Sequence, residues 1–173
     1  MAKKSRQQTI TALTPKTANS TLLTSFPTVT ISRLAASVAS IAPDQAATTQ
    51  QIRHWTREGM LPPVQHQHSG PGKHREYDPD ARFEVAVLSL FNDLGLPVAG
   101  SDILTDALKQ VRDEVAKRKA GKGKKNPHLI IARGPRADMT VGVYGQREKV
   151  PDAMVTIDVN LDKLFALVEG RAV

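Results

Sequence analysis

The sequence predicts an α+β protein, with helices over roughly its first two thirds and then a small antiparallel sheet with one helix. Apolar residues recur at helical spacing between residues 30 and 116, whereas three short β-branched runs follow residue 128. Hydrophobic residues make up 40% of the 173 residues but aromatic ones only 4%, so the core is expected to be small and aliphatic. The predicted segments are a disordered basic tail (1–28), a helical domain (29–116), a flexible basic linker (117–127) and a β-β-β-α domain (128–173).

The charge predicts a polyanionic partner. The net charge is +7 and the pI about 9.9, which favours nucleic acid first and an acidic membrane surface second. Residues 1–28 hold four basic and no acidic side chains, and residues 101–127 hold eight against four. Residues 29–100 hold six against seven, and residues 128–173 hold six against six. A DNA-binding face within residues 29–100 must therefore separate its basic residues from its acids.

Several functional classes are excluded or disfavoured. The absence of cysteine excludes disulfides and thiolate metal sites. His66 and His68 can share a zinc ion with a third histidine, but no carboxylate accompanies them at ligand spacing, so no metal or other cofactor is expected. No phosphate-binding loop or nucleophile motif is present, which predicts a protein that is not an enzyme. No apolar run of membrane length and no signal peptide are visible, so we expect a soluble, cytoplasmic, nucleoid-associated protein without a membrane partner.

The helices begin at Thr30, which can cap a first helix carrying an apolar stripe. The most informative stretch then runs from Thr48 to Tyr77. Thr48 can cap a second helix with Gln51 completing a capping box, and Gly59 can end it in the left-handed conformation. One face of this helix carries Ile52, Trp55 and Thr56. The opposite face carries side chains suited to hydrogen bonds with base edges: Gln50, Arg53, His54 and Arg57.

Residues 52–63 (Ile-Arg-His-Trp-Thr-Arg-Glu-Gly-Met-Leu-Pro-Pro) resemble the second helix of the mercury-resistance-regulator (MerR) family of winged helix-turn-helix proteins. Residues 75–78 resemble the end of that family's wing and residues 94–96 the end of its third helix, so the resemblance covers about residues 29–108. It implies a DNA-binding domain over 29–116. Its recognition helix, 49–58, would enter the major groove, and its wing, 64–77, would lie on the backbone and minor groove. The turn at 41–47 is longer than the family's, so either the first helix is extended or a small turn is inserted.

DNA contacts are assigned to polar side chains of the recognition helix and the wing: Thr49, Gln50, Arg53, His54, Arg57, Lys73, His74, Arg75 and Tyr77. Further candidates for phosphate contact are Arg33, Lys122, Lys124 and Lys125.

The remaining elements follow from caps and periodicity. A third helix is predicted from Asp78 to Gly95, with a core face of Phe83, Val87, Leu90, Phe91 and Leu94. A fourth, capped near Ser101, carries the apolar stripe Leu104, Leu108, Val111 and Val115. Strands over 129–132, 139–144 and 154–159 then precede a helix that Asn160 caps.

The resemblance implies a MerR-like transcriptional regulator that binds double-stranded DNA as a homodimer. The same fold serves excisionases, plasmid or phage maintenance proteins and terminase-type recognition proteins, which the helix and wing do not distinguish. A third interpretation is a protein-binding adaptor whose C-terminal sheet recruits a partner such as RNA polymerase. Pairing through the sheet and last helix is favoured over the 104–115 stripe, because the last domain is too small to bury its own apolar residues. A chain ending at Arg118 is then expected to fold but not to dimerise.

Overall fold

The computed structural model describes residues 27–64, 75–96, 102–134, 139–145, 153 and 155–171. These ranges contain five helices and two antiparallel sheets, so the predicted α+β class is confirmed. In chain order the elements are β1 (Val29–Thr30), α1 (Ile31–Ser37), α2 (Gln45–Arg57), β2 (Glu76–Tyr77), α3 (Ala81–Asp93), α4 (Asp102–Lys119), β3 (His128–Arg133), β4 (Met139–Tyr144), β5 (Val155–Asn160) and α5 (Leu161–Val168).

Helix α2 begins three residues before the predicted cap. Asp44 is its N-cap, and one carboxylate oxygen accepts a hydrogen bond from the Ala47 N–H at 2.9 Å. Thr48 lies buried inside the helix, where its hydroxyl donates to the Asp44 carbonyl at 2.8 Å. A carboxylate both accepts from the free N–H groups of the first turn and is favoured by the helix dipole, so the helix starts after Asp44. The connection between α1 and α2 is therefore 38–44 rather than 41–47.

The end of α2 lies where the sequence predicted it. Gly59 has a φ of +76°, the left-handed conformation in which a side chain is strained. The Met60 N–H then donates to the Trp55 carbonyl at 3.0 Å. This reversal turns the chain inward, and both Met60 and Leu61 are buried in the core.

A two-stranded sheet pairs the strand before α1 with the strand that precedes α3. β1 and β2 pair antiparallel, with Val29 opposite Tyr77 and Thr30 opposite Glu76. The Val64 N–H donates to the Glu76 carbonyl at 2.9 Å. Val64, the first residue of the predicted wing, therefore lies against β2 at the end of that wing. Residues 65–74, which include the predicted contacts Lys73 and His74, lie outside the described residues.

Helix α3 starts later than predicted but ends at Gly95 as predicted, where the φ is +70°. It starts at Ala81, because Asp78 and Asp80 form a turn in which an Asp78 carboxylate oxygen accepts from the Asp80 N–H at 2.8 Å. Leu94, predicted as core, is the C-cap residue and is 57% exposed. The helical spacing that placed Leu94 on the inner face no longer applies beyond the last helical turn.

The C-terminal sheet has the order β4-β3-β5, antiparallel throughout, in agreement with the three predicted strands. The Asn160 carboxamide oxygen accepts from the Lys163 N–H at 3.0 Å and caps α5 as predicted. The sheet packs on α4, and α5 packs on α3, where the Phe83 and Phe165 ring centroids lie 4.6 Å apart. Buried apolar residues on both sides of 117–127 belong to one hydrophobic core, so the two predicted domains share it.

The predicted flexible linker is ordered by specific hydrogen bonds. Helix α4 continues to Lys119, and the Lys122 N–H donates to the Lys117 carbonyl at 2.8 Å. Buried Glu114 accepts from the Lys124 N–H at 2.6 Å, and the Lys124 ammonium donates to the Val143 carbonyl at 2.7 Å. A buried carboxylate needs such partners, and this need fixes a segment that composition alone predicts to be mobile.

None of the described helices is long and apolar enough to cross a membrane.

Candidate nucleic-acid interface

The outward face of α2 carries the side chains that the sequence assigned to base recognition. Gln50, Arg53 and Arg57 are exposed, and Thr49 and His54 are partly exposed. The inward face is buried: Thr48, Ile52 and Trp55. The predicted orientation of the helix is confirmed, with Trp55 inside and both arginines outside. Residues three and four apart on a helix are neighbours, so Gln50, Arg53 and Arg57 form one continuous polar row.

Tyr77 fixes α2 against the small sheet and is not available for a DNA contact. Its side chain is 0% exposed, and its hydroxyl lies 2.8 Å from the Thr56 hydroxyl oxygen. The Thr56 hydroxyl hydrogen is directed to the Ile52 carbonyl at 2.7 Å, so Tyr77 donates to Thr56. The prediction that Tyr77 contacts DNA is corrected accordingly, because strand alternation turns Tyr77 inward and Glu76 outward.

A second anchor holds the segment just after α2. The Nη2 atom of Arg112 donates to the Met60 carbonyl at 3.2 Å and also to a Glu84 carboxylate oxygen at 2.5 Å. Burial raises the pKa of Glu84, and the hydrogen bond from Arg112 offsets part of that rise. The same hydrogen bond raises the pKa of Arg112. No local sequence pattern predicts this anchor, because Glu84 and Met60 lie 28 and 52 residues before Arg112 in the chain.

The raised pKa of Glu84 gives a pH prediction. In the unfolded chain Glu84 titrates near its ordinary value of 4.5, so above that pH the folded state binds more protons. The stability that Glu84 contributes is therefore present below this value and is lost as pH rises through the folded-state pKa. We expect the free energy of unfolding of the wild type, relative to Glu84→Gln, to fall as the pH rises above 4.5. Urea denaturation of both chains at a series of pH values measures this difference in free energy of unfolding. A difference that rises with pH would show that the interaction with Arg112 outweighs the effect of burial on the pKa of Glu84.

The charges of the described residues are arranged in two groups. Three basic side chains of α4 form internal ion pairs: Arg112 with Glu84, Arg118 with Asp162 at 2.8 Å, and Lys119 with Asp80 at 2.5 Å. By contrast, four exposed arginines between α1 and β2 form no ion pair with another described residue: Arg33, Arg53, Arg57 and Arg75. Two acids that reduce the net charge of residues 29–100 are thus paired with α4. The basic residues of the α1–α2–β2 region remain free for a polyanion.

The other predicted contacts are distributed around this face and on the segment after α4. His54 lies 3.9 Å from Glu58, and both are nearly half exposed, so the pair is weak. Lys122 and Lys125 are exposed, whereas the Lys124 ammonium already donates to a backbone carbonyl.

No protein-family model matches the chain, and a search of the curated proteins returns no match. Its function is therefore inferred from the geometry of these residues and from the resemblance carried by residues 52–63.

Proposed function

We propose that this chain is a sequence-specific double-stranded DNA-binding protein with a MerR-like winged helix-turn-helix, acting as a transcriptional regulator. The supporting observation is the exposed row of Gln50, Arg53 and Arg57 on a helix whose opposite face is buried. In this proposal α2 lies in the major groove and α1 supports it. The predicted wing, 64–77, would lie on the backbone and minor groove.

The row has the chemistry of direct base readout. An arginine fork donates two hydrogen bonds to the O6 and N7 of guanine, and a glutamine carboxamide pairs with N6 and N7 of adenine. Arg53 and Arg57 carry no competing carboxylate within the described residues, so binding DNA does not require an internal ion pair to break. Two anchors, the Tyr77 hydroxyl bonded to Thr56 of α2 and the Arg112 guanidinium bonded to Met60 just after α2, hold the helix in a fixed orientation.

Phosphate contacts are proposed for exposed basic residues outside the row: Arg33, Arg75, Lys122 and Lys125. Such contacts set register and add salt-dependent affinity without reading sequence. An excision, maintenance or packaging protein would use the same contacts. The proposal therefore concerns recognition of double-stranded DNA in any of these settings.

A second recognition helix is needed because one helix contacts only a few base pairs, and a homodimer usually provides it. The apolar stripe of α4 is buried inside the chain: Leu104, Leu108, Val111 and Val115. The apolar face of α5 is buried as well. The apolar faces of α4 and α5 thus pack within one subunit. The proposed dimer therefore uses neither of these two helix faces.

Replacing Arg57 by alanine tests the base contact. We expect about 1–3 kcal/mol weaker binding to the preferred duplex, or about 5- to 150-fold, with the fold unchanged. The preferred duplex comes from selection among random sequences with the wild-type chain, and affinity is measured by fluorescence anisotropy. Lys163→Ala is the matched control, because Lys163 is an exposed cation on α5. An equal loss in both variants would indicate a nonspecific charge effect and contradict the assignment of Arg57.

A further inference from the structure

A second basic site lies between three helices. A cavity of about 220 Å³ opens between the start of α3, the end of α4 and α5. Its lining includes Arg82, Phe83, Arg118, Lys119, Phe165 and Glu169. Among the described residues, none from α1 or α2 lines it, so it is separate from the proposed DNA-binding row.

Two arginines lie over aromatic rings at this cavity. The guanidinium carbon of Arg82 lies 4.8 Å from the Phe83 ring centroid, and that of Arg118 lies 5.3 Å from the Phe165 centroid. The two rings themselves are 4.6 Å apart. A cation–π contact is an electrostatic attraction to the ring face, and it supplies no oxygen acceptor for the guanidinium N–H groups. The rings therefore hold both arginines in place without satisfying their hydrogen-bonding capacity.

Each of these arginines has a donor without an acceptor. Arg82 Nε and Arg118 Nη1 are shielded from solvent, and no acceptor in the described part of the chain lies within hydrogen-bond distance. Arg118 uses its other terminal nitrogen, Nη2, for Asp162. Shielded N–H groups of charged side chains are almost always partnered, so these two arginines keep hydrogen-bonding capacity that the described residues do not use.

The charges around the cavity leave one cation in excess. Asp162 pairs with Arg118, Asp80 with Lys119, and Glu169 with Arg171. These are three acids against the basic side chains Arg82, Arg118, Lys119 and Arg171. Of these four basic side chains, Arg82 is the one that forms no ion pair with another described residue.

We propose that this cavity binds a compact oxyanion, a free phosphate ion or the phosphate group of a small phosphomonoester. Arginine forks match the oxygens of a phosphate group in the plane of the guanidinium. The cavity is smaller than the roughly 300–1,000 Å³ typical of sites for drug-sized ligands, which favours a compact ligand. Because the cavity joins α3, α4 and α5, its ligand would tie the helical part of the chain to the C-terminal part.

The test is a titration of the ¹⁵N-labelled full-length chain with inorganic phosphate at constant ionic strength, with sodium chloride as the balancing salt. The side-chain Nε–Hε signals of Arg82 and Arg118 are followed by NMR. We expect both signals to shift saturably, while the signal of exposed Arg133 on β3 does not. In Arg82→Gln, followed through Arg118, the Kd is expected to rise about tenfold or more, as for loss of a charged hydrogen bond. In the control Lys163→Gln it is expected to stay unchanged.

Two outcomes would overturn the proposal. The first is an absent or non-saturating shift in the wild-type chain, which decides the matter even if a variant fails to fold. The second is a shift of the two arginine signals with a DNA duplex but not with phosphate, which would make the cavity a contact for the DNA backbone.

Discussion

Trp55→Ala is expected to destabilise the protein by about 3–5 kcal/mol, as deletion of a large core side chain does. Trp55 is 1% exposed and belongs to a core with few other aromatic side chains. Its carbonyl also accepts from the N–H groups of Met60 and Leu61, so a shift of this residue disturbs the turn that ends α2. Because small domains are typically stable by about 5–15 kcal/mol, the variant should be partly or wholly unfolded.

Urea denaturation followed by circular dichroism measures this effect. Arg57→Ala, two residues away on the exposed face, is the matched control and should stay within about 0.5 kcal/mol of the wild type. A Trp55→Ala chain with an unchanged midpoint beside a destabilised Arg57→Ala chain would show that α2 is mounted with the opposite face inward.

A chain ending at Lys119 is expected to lose its fold, not merely its ability to dimerise. The sequence suggested that a chain ending at Arg118 keeps its fold. In the structure α4 packs on β3 and β4, and α3 packs on α5. Truncation would expose the inner side chains of α3 and α4 that these elements cover. It would also leave the buried carboxylate of Glu114 without the Lys124 N–H.

Dispersion of the amide proton signals and a thermal melt of the truncated chain decide the outcome. Two substitutions in the intact chain test the same packing without truncation. Phe165→Ala should lower the free energy of unfolding by about 3–5 kcal/mol and Leu167→Ala by much less. Phe165 is 1% and Leu167 39% exposed on the same helix. A cooperative melt and native-like dispersion in the truncated chain would contradict the shared core.

The elements that could be predicted depend on local chemistry. Gly59 ends α2 and Asn160 caps α5 because a left-handed residue and a capping side chain act within one turn of the helix. The inward orientation of Trp55 follows from helical spacing alone. The start of α2 was misplaced because two capping residues, Asp44 and Thr48, compete within four positions.

The features that could not be predicted depend on contacts distant in sequence. The Arg112 contacts with Met60 and Glu84, and the Tyr77 contact with Thr56, span 21 to 52 residues. Composition predicted mobility for the basic segment after α4, but a buried carboxylate on α4 orders it. Tyr77 was assigned to DNA for the same reason: a polar tip was visible in the sequence, whereas its partner was not.

The most direct test of DNA binding by α2 is a map of the protein surface that contacts DNA. Backbone amide signals of the ¹⁵N-labelled chain are followed while a double-stranded oligonucleotide is added at low salt, where nonspecific binding is strong. We expect the largest shifts on α2 around Gln50, Arg53 and Arg57 and on α1 near Arg33. Signals of β3, β4 and β5 should remain in place. Shifts confined to the C-terminal sheet, or no shift at any residue, would contradict the proposal that α2 binds DNA.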